Sequence, residues 1–147
     1  MLKPRPSLVD PLDMAPQILI ADDERLSRFL TQSILEKLGF QVELCDDGRG
    51  AVEAEATGDF AAIFMDCQMP NMDGFQATAA IRRQQVERGG AHTPIIGLSA
   101  RAMDGDDEVA IAKGMDTYIT KPQSIRKVRA ALEQVGVAVD AAQSAAQ

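Results

Sequence analysis

Tryptophan is absent from this 147-residue chain, tyrosine and histidine occur once each, and cysteine occurs twice. Each scarcity excludes something. Two cysteines, Cys45 and Cys67, cannot build a disulfide framework, and in an acidic chain they read as free thiols. No CxxC or Cys/His spacing suggests zinc. The single histidine, His92, falls in a polar loop and reads as solvated. Positive charge is also in short supply: the formal net charge is −7. That argues against nucleic-acid binding, which needs a basic surface to meet phosphates. No apolar run approaches the ~20 residues of a membrane-spanning helix. The start of the chain lacks a charged-then-apolar leader pattern, so a cytoplasmic location is expected, with no membrane association.

Apolar residues make up 46% of the chain and charged residues 25%, the range of a globular protein with room for one domain. Four of the seven prolines (Pro4, Pro6, Pro11 and Pro16) crowd residues 1–16, which read as an arm or linker. Residues 136–147 are rich in Ala, Gln and Val without a clear apolar stripe and read as a tail. The compact domain is therefore placed at residues 17–135. Within it, strand and helix patterns alternate five times. Gln17-Ile18-Leu19-Ile20-Ala21 is a short apolar strand, and Leu26, Phe29, Leu30, Ile34 and Leu38 form the stripe of a helix stopped by Gly39. Gln41-Val42-Glu43-Leu44-Cys45 alternates as an edge strand does. A short helix from Gly50 to Ala56 precedes the most apolar strand, residues 61–65. A helix from Gly74 to about Val86, a strand over 94–98, a short helix from Asp104 to Lys113, a strand over 116–120 and a last helix striped by Ile125, Val128, Leu132 and Val135 complete the pattern. Repeated βα units of this length predict an α/β fold: a flavodoxin-like (βα)5 doubly wound parallel sheet of strand order 2-1-3-4-5.

In that topology the carboxyl ends of the strands share one crevice. The first strand ends in Asp22-Asp23-Glu24, the third in Asp66, the fourth in Ser99, and the fifth in Thr120-Lys121-Pro122. Taken singly, each has a plain reading. Asp22 or Asp23 would cap a helix, Asp66 would be a turn acid, Ser99 a turn hydroxyl and Lys121 a solvated lysine. Jointly they place three carboxylates, a hydroxyl and an ammonium together. Such carboxylates repel and should raise at least one pKa, which a divalent cation relieves; oxygen donors with waters left over suit Mg²⁺. Asp66 is then the candidate nucleophile for a phosphoryl group, with Lys121 and Ser99 serving its oxygens.

The chain from about residue 17 to 135 resembles the receiver domain of two-component response regulators. The likeness rests on Ile18-Leu19-Ile20-Ala21-Asp22-Asp23-Glu24, on Met65-Asp66-Cys67-Gln68-Met69-Pro70-Asn71-Met72-Asp73-Gly74, on Pro94-Ile95-Ile96-Gly97-Leu98-Ser99-Ala100, and on Gly114-Met115-Asp116-Thr117-Tyr118-Ile119-Thr120-Lys121-Pro122. The second stretch and Gly89-Gly90 look most like receivers of hybrid histidine kinases. The resemblance implies a phosphorelay signalling module that catalyses only its own phosphorylation and dephosphorylation. Asp66 would take a phosphoryl group from a phosphohistidine and become an aspartyl phosphate. Asp23, Asp66 and the backbone carbonyl of Gln68 would bind Mg²⁺, with Asp22 acting mainly through water. Lys121 would contact the phosphoryl group, Ser99 would move toward it, and Tyr118 would swing inward, changing the face made by the fourth helix, fifth strand and fifth helix. The implied partner is a histidine kinase or a histidine-containing phosphotransfer protein docking on the first helix, with Phe29 exposed there or simply core. The protein would be a monomer or a phosphorylation-dependent dimer.

Some positions depart from the commonest family pattern. Ser99 stands where Thr is frequent and Gly97 where Ala is. Arg101, two past Ser99, should with Gln68 influence the lifetime of the acyl phosphate. Gln123 follows Pro122 where an apolar residue is common, and nothing in the sequence accounts for it. Three other readings compete with this one. A Mg²⁺-dependent phosphohydrolase with an aspartyl nucleophile wants a second acid at the place of Gln68 and a capping insert. A flavodoxin-like nucleotide or flavin binder wants a phosphate loop where Asp22-Asp23-Glu24 stands. A pseudo-receiver interaction module would signal without phosphate, although no required residue is missing.

Overall fold

The computed structural model describes residues 16–90, 92–100 and 106–139, and only the backbone of 106–108. Arg101, the prolines at 4, 6 and 11, and the end of the tail lie outside the described residues. The elements run β1 (Gln17–Ala21), α1 (Arg25–Lys37), β2 (Gln41–Cys45), α2 (Gly48–Thr57), β3 (Ala62–Asp66), α3 (Gly74–Glu87), β4 (Ile95–Ser99), α4 (Asp106–Ala112), β5 (Thr117–Thr120) and α5 (Ile125–Gln134). All strand pairs are parallel, in the order β2-β1-β3-β4-β5. The predicted fold class is therefore the observed one. Strands β3 and β4 end one residue later than expected, so Asp66 and Ser99 are themselves the last residues of their strands.

The three middle strands are apolar except at their ends (Gln17, Asp66 and Ser99) because both their faces are covered. Alternate side chains enter two cores. Ile18, Ile20, Phe64, Ile96 and Leu98 meet Ile34 and Leu35 of α1, Leu38 at its C-cap, and Val128 and Leu132 of α5. Leu19, Ile63, Met65 and Ile95 meet Ala51 of α2, Ala77 and Ile81 of α3 and Ala110 of α4. Burying each of these large side chains contributes about 1.5–3 kcal/mol. Val137 and Val139, beyond α5, also pack against the first core, so ordered packing continues past residue 135.

The apolar stripe expected on α1 divides in two. Ile34 and Leu38 are buried, but Leu26, Phe29 and Leu30 are exposed, Phe29 by 64%. Ser27 and Thr31 occupy the buried positions instead. They can do so because both hydroxyls find partners, described below. Nor do Asp22 or Asp23 cap α1: its N-cap is Glu24, with no side-chain cap bond.

The end of the sheet away from the acids is tied by Arg82 of α3. Its Nε donates to the Gly114 carbonyl (3.0 Å), and its terminal nitrogens donate to the Thr93 carbonyl (2.7 Å) and Asp116 (2.8 Å). Asp116 also accepts from the Ile95 backbone N–H and lies 2.8 Å from His92, so the lone histidine is paired as well as solvated.

Gly97 has a neighbour that explains it. A Cβ there would lie 2.6 Å from the Met115 sulfur and 3.4 Å from Cys67 Sγ and from Tyr118 Cβ. Met115 fills the space an alanine methyl would take.

Candidate functional site

Asp66 reaches the crevice because β3 stops there. Its strand neighbours continue differently: β1 passes into the Asp22-Asp23-Glu24 turn and β4 ends at Ser99. The chain after Asp66 is folded back tightly. The Gly74 N–H donates to the Cys67 carbonyl at 3.1 Å, and a Cβ on Gly74 would lie 2.1 Å from the Asp66 carbonyl oxygen. Only a residue without a side chain lets α3 begin this close to the strand end. Asp73 and Gln76 then form a reciprocal capping box that fixes the first turn of α3. Asn71 takes the left-handed conformation (φ 70°) that this tight loop requires and that asparagine tolerates.

Oxygens of Asp22, Asp23 and Asp66 lie within 4.8 Å of one another, a set able to hold a metal ion. Asp22 is fully buried and Asp66 nearly so, while Asp23 faces solvent. Lys121 Nζ is 3.3 Å from Asp66 Oδ2, 3.6 Å from Asp22 Oδ2 and 3.9 Å from Glu24. One ammonium therefore faces several carboxylates, and the pocket keeps a negative excess. Burial, with repulsion from Asp22 added, pushes the Asp66 carboxyl up to about 7 against the pull of the Gln68 N–H and Lys121. The raised pKa expected from the cluster is thus present, with desolvation rather than repulsion as its largest cause. For Lys121, burial works against the charged form, but Asp66 and then Asp22 outweigh it and its pKa rises.

Asp22 is held on both oxygens. Its Oδ1 accepts from the Glu24 N–H at 3.0 Å and its Oδ2 from the Ser27 hydroxyl. Arg28 braces the same turn by donating to the Asp22 carbonyl at 2.7 Å. Gln68 contributes its backbone N–H to Asp66 Oδ1 at 3.1 Å, and its side chain is exposed. Ser99 and Thr120 face each other across β4 and β5, and the Lys121 N–H donates to the Ser99 carbonyl at 2.7 Å. Tyr118, opposite Gly97 in the same ladder, is half-buried against the core that contains Met115 and Cys67. The Lys121-Pro122 bond is cis. Both cysteines are free thiols, and burial together with Asp47, Asp46 and Glu43 pushes the Cys45 thiol up to about 12. Cys45 is therefore an inert structural thiol at neutral pH.

Sequence reasoning missed Ser27, Thr31 and Gln123. Gln123 is 6% exposed, and its Nε2 lies 2.7 Å from Thr31 Oγ1 and 3.0 Å from Ser27 Oγ. The one available signal was a glutamine where an apolar residue was expected. Beside this network, Glu24, Leu26, Ser27, Leu30, Lys121, Pro122 and Gln123 line a shallow groove of about 340 Å³.

These features define a phosphorelay receiver module with an acidic pocket at the carboxyl end of a parallel sheet. The response regulator receiver domain profile matches residues 18–145, and the chain belongs to that family. It is 40% identical over 126 residues to the sensor histidine kinase GacS of Pseudomonas protegens, across 85% of this chain but only 14% of that protein's length. Among solved structures it is similar to the receiver domain of the sensor histidine kinase PA1611 from Pseudomonas aeruginosa, which carries a magnesium ion in its active-site cleft; identity is 34%, TM-score 0.73, and coverage 83% of this chain and 98% of that one. It is also similar to the receiver domain of Ssk1 from Saccharomyces cerevisiae, solved with the histidine phosphotransfer protein Ypd1; identity is 27%, TM-score 0.75, and coverage 82% and 90%. Among the described residues, no helix is long and apolar enough to cross a membrane.

Proposed function

We propose that Asp66 accepts a phosphoryl group from a phosphohistidine and that the resulting charge resets a protein-binding face. The observation that carries this reading is a buried carboxylate at a strand end, flanked by two further acids and by Lys121 at 3.3 Å. An Asp66 oxygen forms the new O–P bond as the N–P bond of the donor breaks, and the leaving imidazole keeps that electron pair. Attack requires ionised Asp66, yet a pKa of about 7 leaves much of it protonated at neutral pH. More positive charge is needed than Lys121 alone provides.

The donor set fits Mg²⁺: oxygen atoms only, with solvent access on the Asp23 side. Asp23, Asp66 and the Gln68 carbonyl would hold it. Asp22, whose oxygens are already engaged by Glu24 and Ser27, would act through water. When bound, Mg²⁺ supplies the charge that keeps the carboxylates ionised and neutralises phosphoryl oxygens. Lys121 holds a remaining phosphoryl oxygen. Ser99 approaches from the end of β4 to donate a hydrogen bond, and Tyr118 then swings inward into the space that this movement opens. Val109 and Ile111 of α4 are exposed on the face that changes, where a partner or a second phosphorylated copy would bind.

The donor is a histidine kinase or a histidine phosphotransfer protein. Leu26, Phe29 and Leu30, exposed beside the groove that leads to Lys121, suit an apolar docking surface on α1. The domain begins near residue 17, after the arm, and extends past residue 135 to include at least Val137 and Val139. The test is incubation with Mg²⁺ and acetyl phosphate: intact mass should rise by one phosphoryl group in the native chain and stay constant in Asp66→Asn. No rise in the native chain would refute phosphoacceptance.

A further inference from the structure

The buried amide of Gln123 stands two residues after Lys121 and has no part in the chemistry above. Its surroundings fix which way it points. The Ser27 hydroxyl donates its one proton to Asp22 Oδ2, and the Thr31 hydroxyl donates its one proton to the Ser27 carbonyl at 3.2 Å. Both hydroxyl protons are thereby used, so each oxygen can only accept from a third group. The Gln123 amide meets them with its nitrogen, at 3.0 Å from Ser27 Oγ and 2.7 Å from Thr31 Oγ1, and a third contact reaches the Ser27 carbonyl at 3.3 Å. An amide oxygen in that place would find no proton. A directed chain of hydrogen bonds therefore runs from the β5–α5 connection through α1 to the acidic pocket: Gln123 to Ser27 to Asp22.

We infer that Gln123 is a positioning residue for the acidic pocket: by occupying the Ser27 oxygen it commits the Ser27 proton to Asp22 and so sets the orientation in which Asp22 supports a bound cation. Without that donor, the Ser27 hydroxyl is free to turn to a backbone carbonyl one turn back, as buried helical serines do. Asp22 then keeps the Glu24 N–H on Oδ1 and, on Oδ2, only the Lys121 ammonium at 3.6 Å. A leucine at 123 also leaves two buried hydroxyls without their donor, so a fall in stability alone would not establish the role. The role shows in coupling between residues.

The inference rests on the Mg²⁺-dependent reading above, and the experiment separates the two. Mg²⁺ dissociation constants are measured by calorimetry for the native chain, Gln123→Leu, Ser27→Ala and the double variant. Ile81→Val, on the opposite core, serves as a control that lowers thermal stability alone. Gln123→Leu and Ser27→Ala should each weaken Mg²⁺ about threefold to tenfold, the range of one hydrogen bond. The double variant should be no weaker than Ser27→Ala, because Gln123 acts through that hydroxyl. The ¹⁵N side-chain resonance of Gln123 should shift on Mg²⁺ addition in the native chain and lose that shift in Ser27→Ala. This last readout needs no substitution at 123. Unchanged affinity in Gln123→Leu, fully multiplicative effects in the double variant, or a native Gln123 resonance indifferent to Mg²⁺ would overturn the inference alone. A native chain that binds no Mg²⁺ would overturn the cation-dependent reading with it.

Discussion

Asp66→Asn should stabilise the metal-free protein, and the gain should grow with pH. Raising the Asp66 carboxyl from 3.8 to about 7 means that its ionised form costs the folded state roughly 4 kcal/mol. The sign follows from proton counting. Between about pH 4 and pH 7 the folded protein holds a proton that the unfolded chain has released, so stability falls as pH rises through that window and levels off above it. Asparagine has no proton to lose, and its curve lacks this fall. From pH 5 to pH 8 the advantage of the variant should therefore widen by about 2.5 kcal/mol, or roughly 10 °C in Tm for a domain of this size. Urea unfolding followed by far-UV circular dichroism, with EDTA present, reads this directly; the absence of tryptophan rules out the usual fluorescence assay. Added Mg²⁺ should narrow the gap by stabilising the native chain preferentially. An advantage that is equal at pH 5 and pH 8, or a variant less stable at pH 8, would refute the account of Asp66 as a carboxylate strained by burial.

Two glycine substitutions make a matched pair. Gly74→Ala places its methyl 2.1 Å from a backbone oxygen of Asp66, which cannot yield, and should cost about 3 kcal/mol in urea unfolding; a loss under 1 kcal/mol would show that α3 can start elsewhere. Gly97→Ala meets the flexible end of Met115 at 2.6 Å and should cost about 1 kcal/mol, and a loss above 3 kcal/mol would show that Met115 has nowhere to go.

Fold and acids were legible for the same reason. The apolar runs of β1, β3 and β4 are long enough to demand cover on both faces, and a carboxylate that abruptly ends such a run has to emerge at the carboxyl end of the sheet. Helix α1 was legible only in part. Periodicity puts Leu26 and Leu30 on the apolar stripe and leaves Phe29 open between core and surface, yet all three are exposed and the buried positions belong to Ser27 and Thr31. Their burial depends on Gln123, 96 residues from Ser27, and no local pattern announces a partner that distant. Gly97 was legible as a departure but not as a fit, because the group that complements it, Met115, arrives from the turn before β5. Long-range complementarity of this kind leaves single odd residues in a sequence and no motif.

Arg82 gives the molecule a fulcrum. By gripping Thr93, Gly114 and Asp116 together, it anchors β4 and β5 where they enter the sheet. From Ile95, at the end that Arg82 holds, to Ser99 beside the acids, strand β4 spans about 13 Å. A pull on Ser99 would therefore act on a strand pinned at its opposite end, with the turn after α4 gripped by the same guanidinium through Gly114.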